Sequence, residues 1–151
     1  MVKNLLAHYR GVTIHKTKVL WVGSALLLKL FMRLLLHDLS KCRPSEAVGY
    51  SRITPSLNKI TYGSPEYLRR LGRERKVIDL HYSRNRHHPG HFKEGVSKMT
   101  LIDFVEMAVD WKATSVRPEA KRRLTWMETV FENRKRFKLS DSLVRLLLNK
   151  E

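Results

Sequence analysis

The chain predicts an all-α fold, and three observations carry that expectation. Apolar residues recur at helical spacing, no alternating strand pattern of convincing length survives, and there are only seven glycines and five prolines in 151 residues. That length, with 42% apolar residues, suits a single compact helical domain over residues 1–151 that builds its core without disulfides. Cys42 is the only cysteine and no secretory signal precedes it, so a reducing, cytoplasmic setting is expected.

Taken in chain order, about six helices are expected. Residues 3–36 are helix-rich, with Gly11 and Gly23 as weak points. Within them, Val19–Leu36 carries Lys29 and Arg33, and its uninterrupted part, Val19–Leu28, is ten residues long. That falls short of a bilayer, so no membrane span is expected and the stretch predicts a buried core helix. A turn at Cys42-Arg43-Pro44 follows. Residues 51–64 hold glycine and proline breakers among β-branched residues and predict a loop or lid. Ser64-Pro65-Glu66 joins a hydroxyl cap to a first-turn proline, predicting a helix to His88, where Pro89-Gly90 stops it. Thr100 with Asp103 three residues on predicts a capping box and a helix to about Thr114. Pro118 begins another helix to about Phe137. Ser140 caps a last short one, with Leu143, Leu146 and Leu147 on its apolar side.

Thirty Lys and Arg against 14 Asp and Glu give a net charge of +16. Such an excess favours an anionic partner: a nucleotide or other phosphorylated small molecule, or nucleic acid. Basic runs at Arg69-Arg70, Arg73–Lys76, Lys121–Arg123 and Arg134–Lys138 are where a phosphate backbone would bind, and on one helix Arg69, Arg73 and Lys76 share a face. There is no Gly-rich phosphate loop and no nucleophile elbow, and nothing marks Cys42 as an activated thiol.

The chemistry-bearing residues cluster. Asp103, Glu106 and Asp110 are spaced i, i+3, i+7, so one stripe of an otherwise apolar helix carries three carboxylates. Burying that helix requires something positive to meet them. For Asp103, near the helix start, a solvated position favoured by the helix dipole is expected. "HYSRNRHHPGH" holds four of the seven histidines, and His81, Asn85 and His88 share a face if the segment is helical. Arg84 and Arg86 in the same turns suit an anion. His15 falls on the apolar stripe of its helix, while His37-Asp38 ends an apolar run. Two imidazoles and two carboxylates, His15, His37, Asp38 and Asp110, make a mixed N/O set suited to one divalent ion of Mn, Fe, Co, Ni or Zn.

The order His15 … His37-Asp38 … Asp110 on an all-helical chain resembles the HD superfamily of metal-dependent phosphohydrolases. More closely, "IHKTKV", "HDLSK", "NRHHPGHF" and "MTLIDFVEMAVDW" resemble a family of small uncharacterised bacterial and viral proteins, over about Ile14–Trp111. The resemblance implies an HD-type helical domain with His15, His37, Asp38 and Asp110 as metal ligands. It implies hydrolysis of a nucleotide or other phosphoester by metal-activated water. Lys41 matches the lysine of the HD-x-x-K form, near a substrate phosphate; other HD enzymes place a glutamate base there, so the base is unassigned. Some members hold two ions in the order H…HD…H…HH…D, which His81 and His87-His88 follow with a shorter gap, so a second ion is allowed. On the one-ion reading His87 and His88 are catalytic with Lys41, His81, Arg84 and Arg86 bind substrate, and Glu106 orients a ligand or water. "HPGH" departs from the small family in carrying Gly90 where an acid is expected. The alternative is a basic nucleic-acid-binding protein on the same scaffold. This hydrolase expectation requires four distant side chains to converge on one cation; His15 or Asp110 standing well away from His37-Asp38 ends it and leaves a basic helical binder.

Overall fold

The structure is a computed structural model that describes residues 2–116 and 124–149. Among these the fold is all-α, with seven helices and no strand. The chain divides into two compact units, Met1–His37 and Asp38–Glu151.

The first unit is one helix, α1 (Val2–Leu35). Gly11 and Gly23 do not break it. A glycine inside a helix costs about 1 kcal/mol, too little to open a run of otherwise good helix formers. No residue of α1 is buried, which corrects the buried core helix expected over Val19–Leu36. Trp21, at 74% exposure, illustrates the difference. Within residues 19–35, at 3.6 residues per turn, the apolar side chains reach almost every side, and the charges Lys29 and Arg33 form one i, i+4 strip. By length and composition alone, the helix within Val2–Cys42 is apolar enough to cross a bilayer, since an 18-residue window holds no more than two charges.

The second unit opens with Asp38 in the left-handed region (φ 57°, ψ 12°), followed by a 3₁₀ turn, Leu39–Cys42. Pro44 starts α2 (Pro44–Leu57). The expected lid is therefore half helix: Ser51 to Leu57 belong to α2, with Pro55 in its last turn, and only 58–64 are turns. The buried Ile53 draws that end of α2 into the fold. Ser64 caps α3 (Pro65–Arg73), accepting from the Tyr67 amide as its sequence requires. The single helix expected to His88 is two, because the chain breaks at Glu74 and restarts as α4 (Arg75–Arg84), just after the weak helix former Gly72. α2 lies so close to α4 that a Cβ on Gly49 would fall 2.3 Å from Val77 Cγ2.

α4 ends four residues short of His88. Asn85 leaves the helix (φ −120°, ψ 106°) and its side-chain amide donates to the His81 carbonyl at 2.8 Å and to Ser40 Oγ at 2.8 Å. Such side-chain competition is why Asn ends helices. Single turns at Pro89–His91 and Gly95–Lys98 lead to α5 (Leu101–Ser115), whose Thr100–Asp103 capping box forms as expected. Thr125 and Glu128 form a second box at the start of α6 (Trp126–Phe137), and Ser140 caps α7 (Asp141–Leu148). The helix start expected at Pro118 lies outside the described residues. Met107, Trp111, Val130, Leu139, Val144 and Leu147 form the core of α5–α7, where Trp111 stacks on Phe137 at 5.8 Å between ring centres.

Candidate metal centre

The turn after α4 gathers the histidines. Because Asn85 reverses the chain, His88 returns over His81, and their Nε2 atoms are 2.8 Å apart. A helical face shared by His81, Asn85 and His88 does not exist. The loop performs the convergence instead. Gly90 has a place in this: a Cβ there would lie 2.5 Å from Tyr82 Cδ2, so the backbone after His88 is pressed onto the Tyr82 ring. That ring lies 4.6 Å from His88, centre to centre.

Asp38 meets the histidines from the start of the unit. Its Oδ1 is 3.2 Å from His81 Nε2 and 3.4 Å from His87 Nε2. One ligand atom from each of Asp38, His81, His87 and His88 lies within 4.8 Å of the others, a three-imidazole, one-carboxylate set. Three of the four side chains come from the eleven-residue histidine segment.

Buried carboxylates hold two of the imidazoles from behind. His81 Nδ1 lies 2.8 Å from Glu46 Oε2, and His87 Nδ1 lies 3.2 Å from Glu106 Oε1. Glu46, Glu106, His81 and His87 are all buried. Burial alone would raise the Glu46 carboxyl, but hydrogen bonds from Arg84, His81 and Ser40 hold it below its usual range, so it is an anion. An ionised carboxylate only accepts, so His81 Nδ1 donates to Glu46, while the Nε2 atoms of His81 and His87 face Asp38. Burial likewise opposes charge on Asp38, and His81, His87 and Lys41 overcome it, placing its carboxyl far below the ordinary range. Burial, then the neighbouring His87 and His81, pushes His88 well down, so it is a neutral imidazole. Three imidazoles gathered with an ionised carboxylate are the donor set that Zn, Mn, Fe, Co or Ni takes. The residues fit a metal.

The sequence-derived set is only partly assembled. α1 runs unbroken through His15, so His15 stands about 30 Å along the helix axis from His37, at 1.5 Å per residue. It is exposed, and no reversal returns it to His37. His37 is half-buried at the end of the first unit. Asp110 is in the second unit, with a carboxylate oxygen within 4.8 Å of a His87 ring nitrogen. His81, His87 and His88, assigned to substrate and catalysis from sequence, are instead the imidazoles around Asp38. Lys41 pairs with Asp38 and lies 4.9 Å over the Tyr50 ring.

Arg84 and Arg86 have protein anions as partners. Arg84 donates to Glu46 Oε1 at 2.8 Å, and Arg86 donates to both oxygens of Asp103, at 2.9 and 3.2 Å. Asp103 is therefore buried and paired, where a solvated helix-start position is expected from sequence. Glu46 and Ser40 were the residues sequence reasoning missed. An acid in the first turn of a helix reads as a dipole partner, and no sequence signal tells this one from any other.

A cavity of about 350 Å³ opens beside the centre, within the second unit, and Lys41, His81, His88 and Asp110 line it. Tyr50, Tyr62, Tyr67, Tyr82 and Arg136 also line it. Burial raises the phenols of Tyr50, Tyr62 and Tyr82, so they are neutral donors.

No curated protein and no solved structure matches the chain. A family model described as a family of unknown function, DUF5662, matches residues 4–150. With nearly its whole length covered, the chain belongs to that family.

Proposed function

We propose that the protein is a metal-dependent phosphohydrolase, holding one divalent ion between Asp38, His81, His87 and His88 and acting on a nucleotide or other small phosphoester. One observation carries the reading: imidazole nitrogens and a carboxylate oxygen converge, with buried Glu46 and Glu106 beside the far nitrogens of His81 and His87. The ligand set differs from the H…HD…D order. His15 has no part in it, so the expectation built on the H…HD…D order fails, and the present reading rests on the Asp38–histidine cluster and the cavity beside it.

When bound, a divalent cation supplies Lewis acidity toward a phosphoryl oxygen and draws the pKa of water toward neutrality. The remaining work falls to side chains. Lys41, on the cavity wall, is placed to neutralise charge gathering on phosphoryl oxygens. Asp110, on the same wall, would accept a proton from water. Glu46 and Glu106 are positioning residues. They hold His81 and His87 in one tautomer and touch no substrate.

The rival reading, a nucleic-acid-binding protein without catalysis, loses its clearest feature. The break at Glu74 puts Arg69 and Arg73 on α3 and Lys76 on α4, so the three do not share one helical face.

Elemental analysis tests the centre directly. Wild-type protein should carry about one divalent ion per chain, Asp38→Ala should lose it, and His15→Ala should keep it. Full occupancy in Asp38→Ala, or none in the wild type, would refute the centre and leave protons on His81 and His87 as the account of the cluster. A screen of nucleotides and generic phosphoesters with Mn, Co, Ni, Mg and Zn then tests hydrolysis.

A further inference from the structure

Arg136 lines the cavity beside the metal centre, and its hydrogen-bond partners are phenols. Its guanidinium donates to Tyr82 Oη at 2.8 Å. Asp110 lines the same cavity from α5, yet Arg136 makes no ion pair with it or with any other carboxylate among the described residues. A phenol is neutral at ordinary pH, so Tyr82 solvates the guanidinium without cancelling its charge. A half-buried cation without a counter-charge is costly, and an anion brought in from solution removes that cost.

The surroundings favour such an anion. Tyr82 accepts from Arg136, which leaves its own hydroxyl proton to donate, whereas Tyr62 spends its proton on Asn133 Oδ1 at 3.0 Å. A guanidinium edge and a phenol donor together form a site for a carboxylate or phosphate. Tyr82 also sets the spacing. Its hydroxyl is at Arg136 and its ring is packed on His88, so the anion site and the metal centre stand about one tyrosine side chain apart.

We infer that Arg136, with Tyr82, forms a second anion-binding subsite, and that the substrate is a small phosphoester bearing another anionic group, carboxylate or phosphate, on the side away from the scissile bond. The inference deepens the phosphohydrolase reading and rests on it for the orientation of the substrate, while the subsite itself needs no metal. A cavity of about 350 Å³ holds a small molecule of this kind.

The test compares phenyl phosphate with para-carboxyphenyl phosphate by calorimetry, on metal-loaded and chelator-treated protein. Wild type should bind the carboxylated probe about tenfold more tightly in both states. Arg136→Gln should abolish that preference and leave phenyl phosphate affinity within about twofold. An equal preference in Arg136→Gln, or none in wild type, would overturn the subsite. Failure of the metal reading would instead appear as a phenyl phosphate affinity that chelator leaves unchanged, whatever the preference for the carboxylated probe, so the two ideas fail separately. Should Arg136→Gln not fold, phenylglyoxal modification of the wild type with peptide mapping decides. Para-carboxyphenyl phosphate should protect Arg136 and phenyl phosphate should not, and equal protection would sink the proposal.

Discussion

The Glu46 carboxylate accepts from Ser40 at 2.9 Å, lies 2.8 Å from His81 Nδ1 and takes a guanidinium N–H of Arg84 at 2.8 Å, all without exposure to water. Ser40 lies in the 3₁₀ turn while His81 and Arg84 share the last turn of α4, so one side chain ties the turn after Asp38 to the end of α4. Glu46→Gln keeps the size of the group and removes its charge, which loosens the His81 tautomer. Divalent-metal affinity, measured by competition with a chelator, should fall about 10- to 100-fold. An unchanged affinity would show that Glu46 does not orient the imidazole. The residue scale is also where the sequence was least informative. The histidines, Asp38 and Lys41 were recognisable by type and spacing, but their roles were not, because those depend on the reversal at Asn85. His15 was assigned to the site by order along the chain, a property that survives only if the helix between it and His37 turns back.

At the scale of elements, caps were readable and breaks were not. Ser64, Thr100 and Ser140 each accept the amide that their sequence context names, because capping is settled within four residues. The break at Glu74 and the persistence of α2 through Pro55 depend on neighbours distant in sequence. The pair Gly49 and Gly72 separates the two kinds of constraint. Gly49→Ala drives a methyl into Val77 and should destabilise by about 1–3 kcal/mol, since α2 and α4 must part. Gly72→Ala meets nothing within 4 Å in α3 and should stabilise by about 0.4–1 kcal/mol. Denaturant midpoints of the two variants check both signs. Because Glu46 is one turn before Gly49, the first change should also weaken metal binding, and the second should not.

For the whole molecule, the all-α class was legible because helical periodicity and the absence of strand patterns are properties of the entire chain. The fate of α1 was not. Its apolar content reads equally well as core, and only the packed structure shows that its side chains remain outside. This has a consequence for the protein as a colloid. An apolar rod open to solvent draws molecules together, while a charge of +16 on every chain drives them apart. The repulsion reaches only about 8 Å at physiological ionic strength, and the apolar attraction is not screened. Raising sodium chloride should therefore cluster the protein, whereas a like-charged surface with no apolar patch would stay dispersed. Light scattering across a salt titration reads the outcome directly; scattering that stays flat or falls would mean that the rod is shielded in solution.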